Sequence, residues 1–398
     1  MAERRVGLWL IGAFGGVGTT TAVGLSALAR GNASPVGMVT ALPQFQLREW
    51  DGFDSFVVGG HDIRNGSFNT TAMELHRRAG VFSDELVAAC EPDLTSWSAN
   101  VKPGVIYRPN EAIAKLADRR DVRLASDPIA AIQQIQQDIR AFESDHNLDQ
   151  VVVVNVASTE PPFPLGEEHQ TMAGLEKILD RPNPPPLPTS SLYAYAALDA
   201  IYPYVNITPS LGASLPAIEE LAKLRGTPHA GQDAKTGETL LKSVLAPMFA
   251  KRNLKVLSWV GHNILGNRDG LVLSDPMNKA SKVKSKEGLL ADLLGYRPQS
   301  HVSIEYIESL DDWKTAWDHI HFEGFLGTKM TLQFTWQGCD SILAAPLVLD
   351  LARLALRAQR RGQSGALTPL ACFFKSPIGV NEHDFGKQIE LFEQYLKN

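Results

Sequence analysis

The chain has 398 residues, of which 44% are hydrophobic, together with 32 glycines and 24 prolines. This length and composition predict two to three globular domains and exclude a disordered, fibrous or collagen-like chain. The 38 Lys and Arg and the 44 Asp and Glu give a net charge of -6. Such a charge balance gives no extended positive surface for binding nucleic acid or an anionic membrane. Any anion-binding site must therefore be local.

The three cysteines, Cys90, Cys339 and Cys372, are an odd number without C-x-x-C spacing. We therefore expect neither a disulfide framework nor a cysteine-built zinc site, which is typical of a protein in the reducing cytoplasm. The amino terminus imitates a secretory signal, but five glycines between Gly7 and Gly18 would break a signal helix. Since no run of about eighteen apolar residues follows, the sequence predicts no membrane span.

In the first half of the chain, short apolar runs alternate with segments of helical periodicity. Asp127 and Pro128 are a typical N-cap and first residue for one of these helices. The continuous apolar run at 150–158 is typical of a strand buried on both faces of a parallel sheet. In chain order we predict a strand at 6–11, a helix at 19–30, a strand at 36–42, a helix at 127–142 and a strand at 150–158.

The alternation continues after a proline-rich tract at 181–188, which we interpret as a stiff surface excursion. From about Thr239 the sequence changes to several strand-like runs, which indicate a mixed sheet in an inserted second domain. The predicted elements are a helix at 191–200, a strand at 204–210, a helix at 215–226 closed by Gly226, a helix at 240–252, strands at 255–261, 301–308 and 329–336, a helix between 312 and 321, a long apolar helix at 341–361 and a last strand at 371–377.

A glycine-rich loop, GAFGGVG, contains Gly12, Gly15, Gly16 and Gly18 between the first strand and the first helix. At such a helix N-terminus the backbone can approach a pyrophosphate, so the context favours a dinucleotide site. The spacing is not a clean G-x-G-x-x-G and the predicted second strand ends without an acid, so a structural turn is the alternative. The three threonines that follow resemble a P-loop, but the lysine for the outer phosphates is missing.

Several lysines in the second half are candidates for chemistry. On a helix, Lys282 and Lys286 would share one face, where close ammonium groups destabilise each other's charge and suit proton transfer; a solvated basic face is the alternative. Lys375 lies in the apolar run CFFKSP, where an unpaired charge is costly, so we expect it to meet a cavity or a partner. For Lys314, in DDWKTAWDH, local sequence favours the surface.

Two acids and the histidines complete the candidates. Asp233 and Asp340 each precede a predicted helix, so a helix cap and a site role are equally good interpretations. The histidines, His262 and His319 among them, show no HExxH or comparable spacing, and we assign none of them to a metal.

Ordered segments along nearly the whole chain resemble those of myo-inositol-1-phosphate synthases, especially the compact archaeal and bacterial type. They are GAFGGVG, GGHDIR, VVNVASTEPP, PHAGQDAKTGET, GNRDG, SKVKSK, LAAPLVLDLARL and FFKSP. The resemblance implies an α/β fold, in which a Rossmann-type doubly wound parallel sheet is interrupted by an inserted α+β catalytic and tetramerisation domain. It places the first part of the NAD-binding domain at 1–238, the inserted domain at 239–340 and the completion of the NAD-binding domain at 341–398.

The resemblance also implies the site residues, with NAD as the tightly held cofactor. Asp62 would bind the adenosine ribose, which explains the missing acid after the predicted second strand. The implied cofactor-binding residues are Gly12, Ala13, Gly15, Gly16, Asp62, Ala157 and Ser158. The implied catalytic residues are Lys282, Lys286, Lys314, Lys375, Asp233, Asn267, Asp269 and Asp340.

Two further features follow from the resemblance. The residues do not decide between a divalent metal ion, ammonium and neither; for a metal, the implied ligands are Asp269, Asp340 and Ser341. His262 stands where relatives often have an aromatic residue, and Arg268 lies between Asn267 and Asp269. These departures bear on fine substrate positioning and not on the reaction.

The implied reaction converts D-glucose 6-phosphate to 1L-myo-inositol 1-phosphate in a cytoplasmic homotetramer without net oxidation. Hydride leaves C5, a base removes a C6 proton, the C6 enolate attacks the C1 aldehyde, and the hydride returns. Negative charge develops on the C5 and C1 oxygens, so cations are needed there. We expect Lys282 and Lys375 near C5, and Lys286 and Lys314 near the phosphate and C1 oxygen. The alternatives are an NAD-dependent dehydrogenase with net redox and a noncatalytic dinucleotide-binding regulator.

Overall fold

The computed structural model describes residues 4–45, 49–107, 111–181, 187–267, 270 and 289–397, except for the side chains of residues 111 and 112. The strands are β1 (Val6–Ile11), β2 (Phe56–Asp62), β3 (Val101–Pro103), β4 (Val105–Tyr107), β5 (Arg123–Ala125), β6 (Gln150–Asn155), β7 (Tyr204–Asn206), β8 (Pro228–Gly231), β9 (Lys255–Leu265), β10 (Gln299–Tyr306), β11 (Trp313–Glu323), β12 (Lys329–Cys339) and β13 (Gly365–Ala366).

Helices alternate with these strands. They are α1 (Gly16–Ala29), α2 (Phe68–Ala79), α3 (Asp84–Ser98), α4 (Glu111–Leu116), α5 (Pro128–Asp145), α6 (Met172–Leu179), α7 (Thr189–Asp199), α8 (Pro216–Arg225), α9 (Gly237–Lys251), α10 (Asp340–Arg360) and α11 (Phe385–Lys397). None of the helices in the described part of the chain combines the length and apolar character that a membrane crossing needs.

The main sheet has seven parallel strands in the order β13-β8-β7-β6-β1-β2-β3. Strand β1 therefore lies between β2 and β6, and the chain builds the sheet outward in opposite directions from this point. Ligands in such doubly wound sheets bind beyond the carboxyl ends of the strands, where the strand order reverses. The predicted Rossmann-type fold is confirmed, and it places a cleft above β1 and β6.

Both faces of this sheet are covered because its central strands are apolar throughout. Leu8 and Leu10 of β1 pack with α1, α2, α3, α10 and α11, whereas Trp9 and Ile11 pack with α5, α6, α7 and α8. Alternate residues of a strand point to opposite faces, so a continuous apolar run is needed to fill two cores. The main sheet is thereby held rigidly at the centre of the protein.

A second sheet, of order β10-β9-β11-β12, follows α9. Strands β9 and β10 are parallel and the other two pairs are antiparallel, as the predicted mixed sheet requires. Phe249 of α9 packs on Trp259 of β9 and covers one face. The opposite face carries exposed side chains such as Trp317, which is 44% exposed.

Two of the local predictions are confirmed in atomic detail. Asp127 caps α5 through its carboxylate, which accepts hydrogen bonds from Ile129 N at 2.9 Å and Ala130 N at 3.3 Å. Gly226 ends α8 in the left-handed conformation, with φ of 67°, a conformation that glycine adopts without steric penalty.

The predicted second strand at 36–42 is wrong. Residues Val39–Ala41 form a 3-10 turn, and the second strand is Phe56–Asp62. The carboxylate of Asp350 in α10 accepts hydrogen bonds from Val39 N at 2.6 Å and Thr40 N at 3.2 Å. The backbone N–H groups of this segment are therefore hydrogen-bonded to a side chain more than 300 residues away in sequence, and not to a neighbouring strand.

Two further predictions are wrong. The predicted helix between 312 and 321 is strand β11, which pairs with β9 and β12 on both sides. Burial alternates from Ala316 to Ile320, which is the period of a strand and not of a helix. The predicted strand at 371–377 is instead the 3-10 turn Thr368–Phe373, followed by an isolated bridge between Phe374 and Ala234.

Candidate active site

A cavity of about 960 Å³ opens at the carboxyl ends of the main sheet. The residues that follow β1, β2, β6, β7 and β8 line it on one side, and residues of β9, β10 and β11 line it on the other. A topological switch point beside a second sheet is a typical place for a small-molecule site. The predicted site residues can therefore be tested for whether they meet here.

The glycine loop forms the floor of this cavity. Gly12 has φ of +87°, and a Cβ added to it would lie 2.8 Å from the Cα of Ala157. A side chain at this position is therefore excluded on two grounds, conformation and contact. Gly12 N donates to the carbonyl of His61 at 2.8 Å, which ties the loop to β2.

Beyond the loop, α1 begins at Gly16 with Gly15 as its N-cap. The first amide groups of a helix have no intrahelical acceptor and attract anions. Gly12, Gly15, Gly16, Ala157 and Ser158 line the cavity. Ala13, in contrast, is completely buried, and its N–H donates to the His61 carbonyl at 3.2 Å.

Asp62 is the last residue of β2 and is almost completely buried at the cavity wall. Its carboxylate accepts hydrogen bonds from Phe14 N at 2.6 Å and Arg64 N at 2.8 Å. Burial raises the pKa of Asp62, whereas the Arg64 guanidinium and these backbone donors oppose that rise. Because β2 ends at Asp62, this carboxylate lies where Rossmann folds place the acid that binds a ribose.

Beyond the end of β8, Lys375 pairs with Asp233. The Lys375 ammonium donates to Asp233 Oδ1 at 2.8 Å, and its backbone N–H donates to the Asp233 carbonyl at 2.7 Å. Both side chains are largely buried, and both residues line the cavity. Asp233 caps no helix, because Thr236 is the N-cap of α9. Lys375 therefore meets both a partner and a cavity, as its apolar surroundings predict, although it lies outside any strand.

The second sheet contributes another lysine and carboxylate. Lys314 Nζ lies 4.0 Å from Asp340 Oδ1, and Asn267 Nδ2 donates to Asp340 Oδ2 at 3.3 Å. All three residues line the cavity. Asp340 is the first residue of α10, and Cys339 occupies the cap position. The surface location that local sequence favours for Lys314 is therefore wrong.

Asp312 is a site residue that the sequence reasoning missed. Its Oδ2 accepts hydrogen bonds from Cys339 Sγ at 2.9 Å, from Ser341 N at 3.1 Å and from the Ser341 hydroxyl. Burial raises the pKa of Asp312, and the neighbouring Asp340 carboxylate raises it further, against these hydrogen bonds. The spacing of Asp312 and Lys314 is the available signal, since residues i and i+2 of a strand share a face.

The remaining residues that the sequence singles out are either outside the described part of the chain or away from the cavity. Lys282, Lys286, Arg268 and Asp269 lie outside the described residues. His262 is exposed and its ring bonds to Ser303 Oγ at 2.7 Å. The next residue of β9, Asn263, lines the cavity, so strand alternation points His262 to the opposite face.

For the predicted metal ligands, Ser341 and Asp340 lie at the start of α10. Over the described part of the chain, no group of three or more His, Cys, Asp or Glu side chains is arranged to hold a metal ion. The Ser341 hydroxyl donates a hydrogen bond to Asp312.

Comparison with known proteins relates this cleft to one family. The family model described as myo-inositol-1-phosphate synthase matches residues 6–397. Inositol-3-phosphate synthase 1 of Bacteroides thetaiotaomicron is 34% identical, and the alignment covers 100% of this chain and 96% of that protein. Inositol-3-phosphate synthase 1 of Oryza sativa subsp. japonica is 31% identical over 88% of this chain and 74% of that protein.

Solved structures agree with these sequence relatives. The crystal structure of inositol-3-phosphate synthase from Caenorhabditis elegans matches with a TM-score of 0.87 at 25% identity, covering 99% of this chain and 85% of that chain. A myo-inositol-1-phosphate synthase-related protein from Thermotoga maritima matches with a TM-score of 0.79 at 25% identity, over 99% of each chain. With a family model over almost the whole chain and full-length relatives at this identity, the chain belongs to the myo-inositol-1-phosphate synthase family.

Proposed function

We propose that this protein converts D-glucose 6-phosphate to 1L-myo-inositol 1-phosphate with bound NAD and without net oxidation. One observation carries the proposal: a single cavity joins a dinucleotide-type glycine loop to two lysines, Lys314 and Lys375, each beside a carboxylate. A plain dinucleotide-binding protein has no need for two largely buried cations in the same cavity as its glycine loop. The relatives named as inositol-phosphate synthases support the same conclusion.

The residues at the glycine loop fit a dinucleotide. Because Gly12 and Gly15 have no side chains, the backbone of the loop is accessible to a ligand. A Cβ added to Gly12 would lie 2.8 Å from a backbone atom, and one added to Gly15 would lie 3.0 Å from a backbone atom. The start of α1 offers amide donors to the pyrophosphate, and Asp62 offers a carboxylate to the ribose hydroxyls. When bound, NAD supplies a hydride acceptor for C5 of the sugar and later a hydride donor to the same carbon.

The two lysines supply positive charge where the reaction develops negative charge. Asp233, at 2.8 Å from Lys375 Nζ, orients that ammonium toward the cavity. We assign Lys375 to hydrogen bonding and proton donation at the C5 oxygen, and Lys314 to the C1 oxygen or phosphate. Charges held in place in this way stabilise an oxyanion more strongly than mobile ions in bulk solvent do.

The assignment of a cation is a separate part of the proposal. Asp340, Ser341 and Asp269 offer oxygen ligands of the type that divalent metal ions prefer. We derive no step through such an ion, because the described residues include no group of three or more His, Cys, Asp or Glu side chains that could hold one. Exhaustive chelation, with and without ammonium, measures the requirement: loss of turnover that an added divalent ion restores supports the site, and full turnover contradicts it.

We also propose a cytoplasmic homotetramer. Its support is the exposed face of the second sheet, with Trp317 44% exposed, and the β11–β12 turn, where Phe325 and Leu326 are 86% and 84% exposed. Exposed apolar surface of this kind marks protein contacts. The three buried free cysteines support a reducing compartment. Light scattering tests the assembly, and a monomeric mass at high protein concentration contradicts it.

Incubation of the protein with glucose 6-phosphate and NAD, followed by phosphorus NMR, tests the reaction. We expect an inositol phosphate as product, no accumulation of NADH, and retention of deuterium from substrate labelled at C5. NADH formed in proportion to product would identify a dehydrogenase with net redox. NAD binding without any turnover would identify a noncatalytic regulator.

A further inference from the structure

Residues 307–313 comprise the turn after β10 and the first residue of β11, and we call them the 307–313 turn. This turn contains Asp312 and is followed directly by Lys314, and both residues line the cleft. Its position is fixed from one side by α10, because Asp312 Oδ2 accepts hydrogen bonds from Ser341 N and Cys339 Sγ. The other oxygen, Asp312 Oδ1, would lie only 3.8 Å from a Cβ placed on Gly16 at the start of α1. The 307–313 turn thus brings a second-sheet carboxylate up to the glycine loop.

The same turn packs tightly against the end of β9. A Cβ added to Gly266 would lie 2.4 Å from both Asp311 N and Ile307 O. Only a glycine permits backbones to approach this closely. The neighbouring Asn267, which bonds to Asp340 in the cleft, is therefore coupled in position to the 307–313 turn.

Helix α2, which packs on the main sheet, contacts this turn at two points. Arg78 Nη2 lies 2.6 Å from Asp311 Oδ1, and Trp313 Nε1 donates to the carbonyl of Ala79 at 2.8 Å. The Ala79 carbonyl is in the last turn of α2, where carbonyls have no intrahelical donor. The two contacts flank Asp312 in sequence, so together they fix where Asp312 and Lys314 lie relative to α2.

We propose that Arg78 and Trp313 are positioning residues, which hold the 307–313 turn against α2 and so set Asp312 and Lys314 opposite the glycine loop. This inference rests on the proposed function, since it concerns turnover at the same cleft. Neither residue needs to touch a reacting atom. Their role is to make the second sheet present its cation and carboxylate at a fixed distance from the cofactor loop.

Magnitudes separate positioning from simple stabilisation. The Arg78 side chain is 51% exposed, and ion pairs as exposed as this contribute little to stability. A purely stabilising contact would therefore leave turnover nearly unchanged. Displacement of a reacting group by about 1 Å, in contrast, costs up to about a hundredfold in rate.

The test is a double-mutant cycle with Arg78→Gln and Asp311→Asn, in which Asn tolerates the φ of +49° at position 311. We expect each single variant to lower kcat about tenfold with KM changed less than threefold, and the double variant to be no slower than either. Trp313→Phe, which removes the N–H donor together with part of the indole ring, should also lower kcat severalfold. Arg77→Gln replaces the exposed neighbour on the same helix and serves as the matched control.

If the losses of kcat in the two single variants add up in the double variant, Arg78 acts directly on cofactor or substrate. If kcat falls less than twofold, the contacts only stabilise the folded protein. Either result overturns the inference. Amide hydrogen exchange separates this from the proposed function. Exchange at 307–313 should speed about twofold to fivefold in the Arg78→Gln and Trp313→Phe variants but not in Arg77→Gln. A wild-type protein without synthase turnover defeats the proposed function, while unchanged exchange defeats the positioning role.

Discussion

Replacing Lys235 with methionine should change how stability depends on pH. Lys235 is 5% exposed, and its ammonium donates to Gln388 Oε1 and lies 5.8 Å from the ring centre of Phe385 in α11. Burial lowers the pKa of Lys235 to about 8 from its ordinary value of 10.5. The neighbouring Cys372 thiol stays neutral over this range, because burial raises its pKa to about 12.

The sign follows from proton counts in the folded and unfolded chains. Below pH 8 both states carry the Lys235 proton, and the folded protein bears the full cost of a buried charge. Between the folded pKa of about 8 and the unfolded value, only the unfolded chain holds the proton, so stability rises with pH. Integrating this difference, the free energy of unfolding gains about 2–3 kcal/mol from this group between about pH 7 and pH 10.

Urea unfolding of the wild type and Lys235→Met at several pH values measures this gain. The difference in unfolding free energy between the two should move by about 2–3 kcal/mol in favour of the wild type across that range. Lys177→Met, which removes an exposed lysine of α6, controls for the loss of one positive charge. Curves for wild type and Lys235→Met that stay parallel would refute the reasoning.

Three substitutions probe the cleft directly. Asp62→Ala removes a carboxylate from the ribose position and should weaken NAD binding about tenfold to a hundredfold; calorimetry showing unchanged affinity in a folded variant would remove Asp62 from the site. Gly12→Ala places a Cβ 2.8 Å from the Ala157 Cα and should lower both melting temperature and NAD affinity; wild-type values of both would contradict the contact. Lys375→Ala should lose at least about a hundredfold in turnover with NAD affinity kept, and near-normal turnover would exclude the assigned role.

The sequence led to the right fold but to the wrong second strand. Apolar character alone made residues 36–42 resemble a strand, whereas Asp350, more than 300 residues away, bonds this segment as a 3-10 turn. Consequently the acid at the end of the true second strand, Asp62, was found by family resemblance and not by counting strands. Long-range hydrogen bonds are invisible to local patterns, which is why this boundary could not be predicted.

The environments of the two lysines also differ in whether the local sequence could predict them. Lys375 was expected to find a partner because charge in an apolar run is costly, and Asp233 is that partner. Lys314 gave no such signal, because its strand is half-exposed and its environment comes from α10 and β9. Asp312 and strand β11 were missed for the same reason. The burial of β11 residues alternates with a period of two, and this alternation arises only when the neighbouring strands are in place.

Helix α10 sets the spacing between two of its aspartates, Asp340 and Asp350, which act at different places. Asp340 at its first residue faces the cleft, and Asp350, ten residues further along the same helix, holds the turn at Val39 and Thr40. Each helical residue advances about 1.5 Å and turns about 100°, so one inserted or deleted residue between the two aspartates would rotate one of them off its target. This stretch should therefore accept changes in side-chain identity far more readily than any change in length.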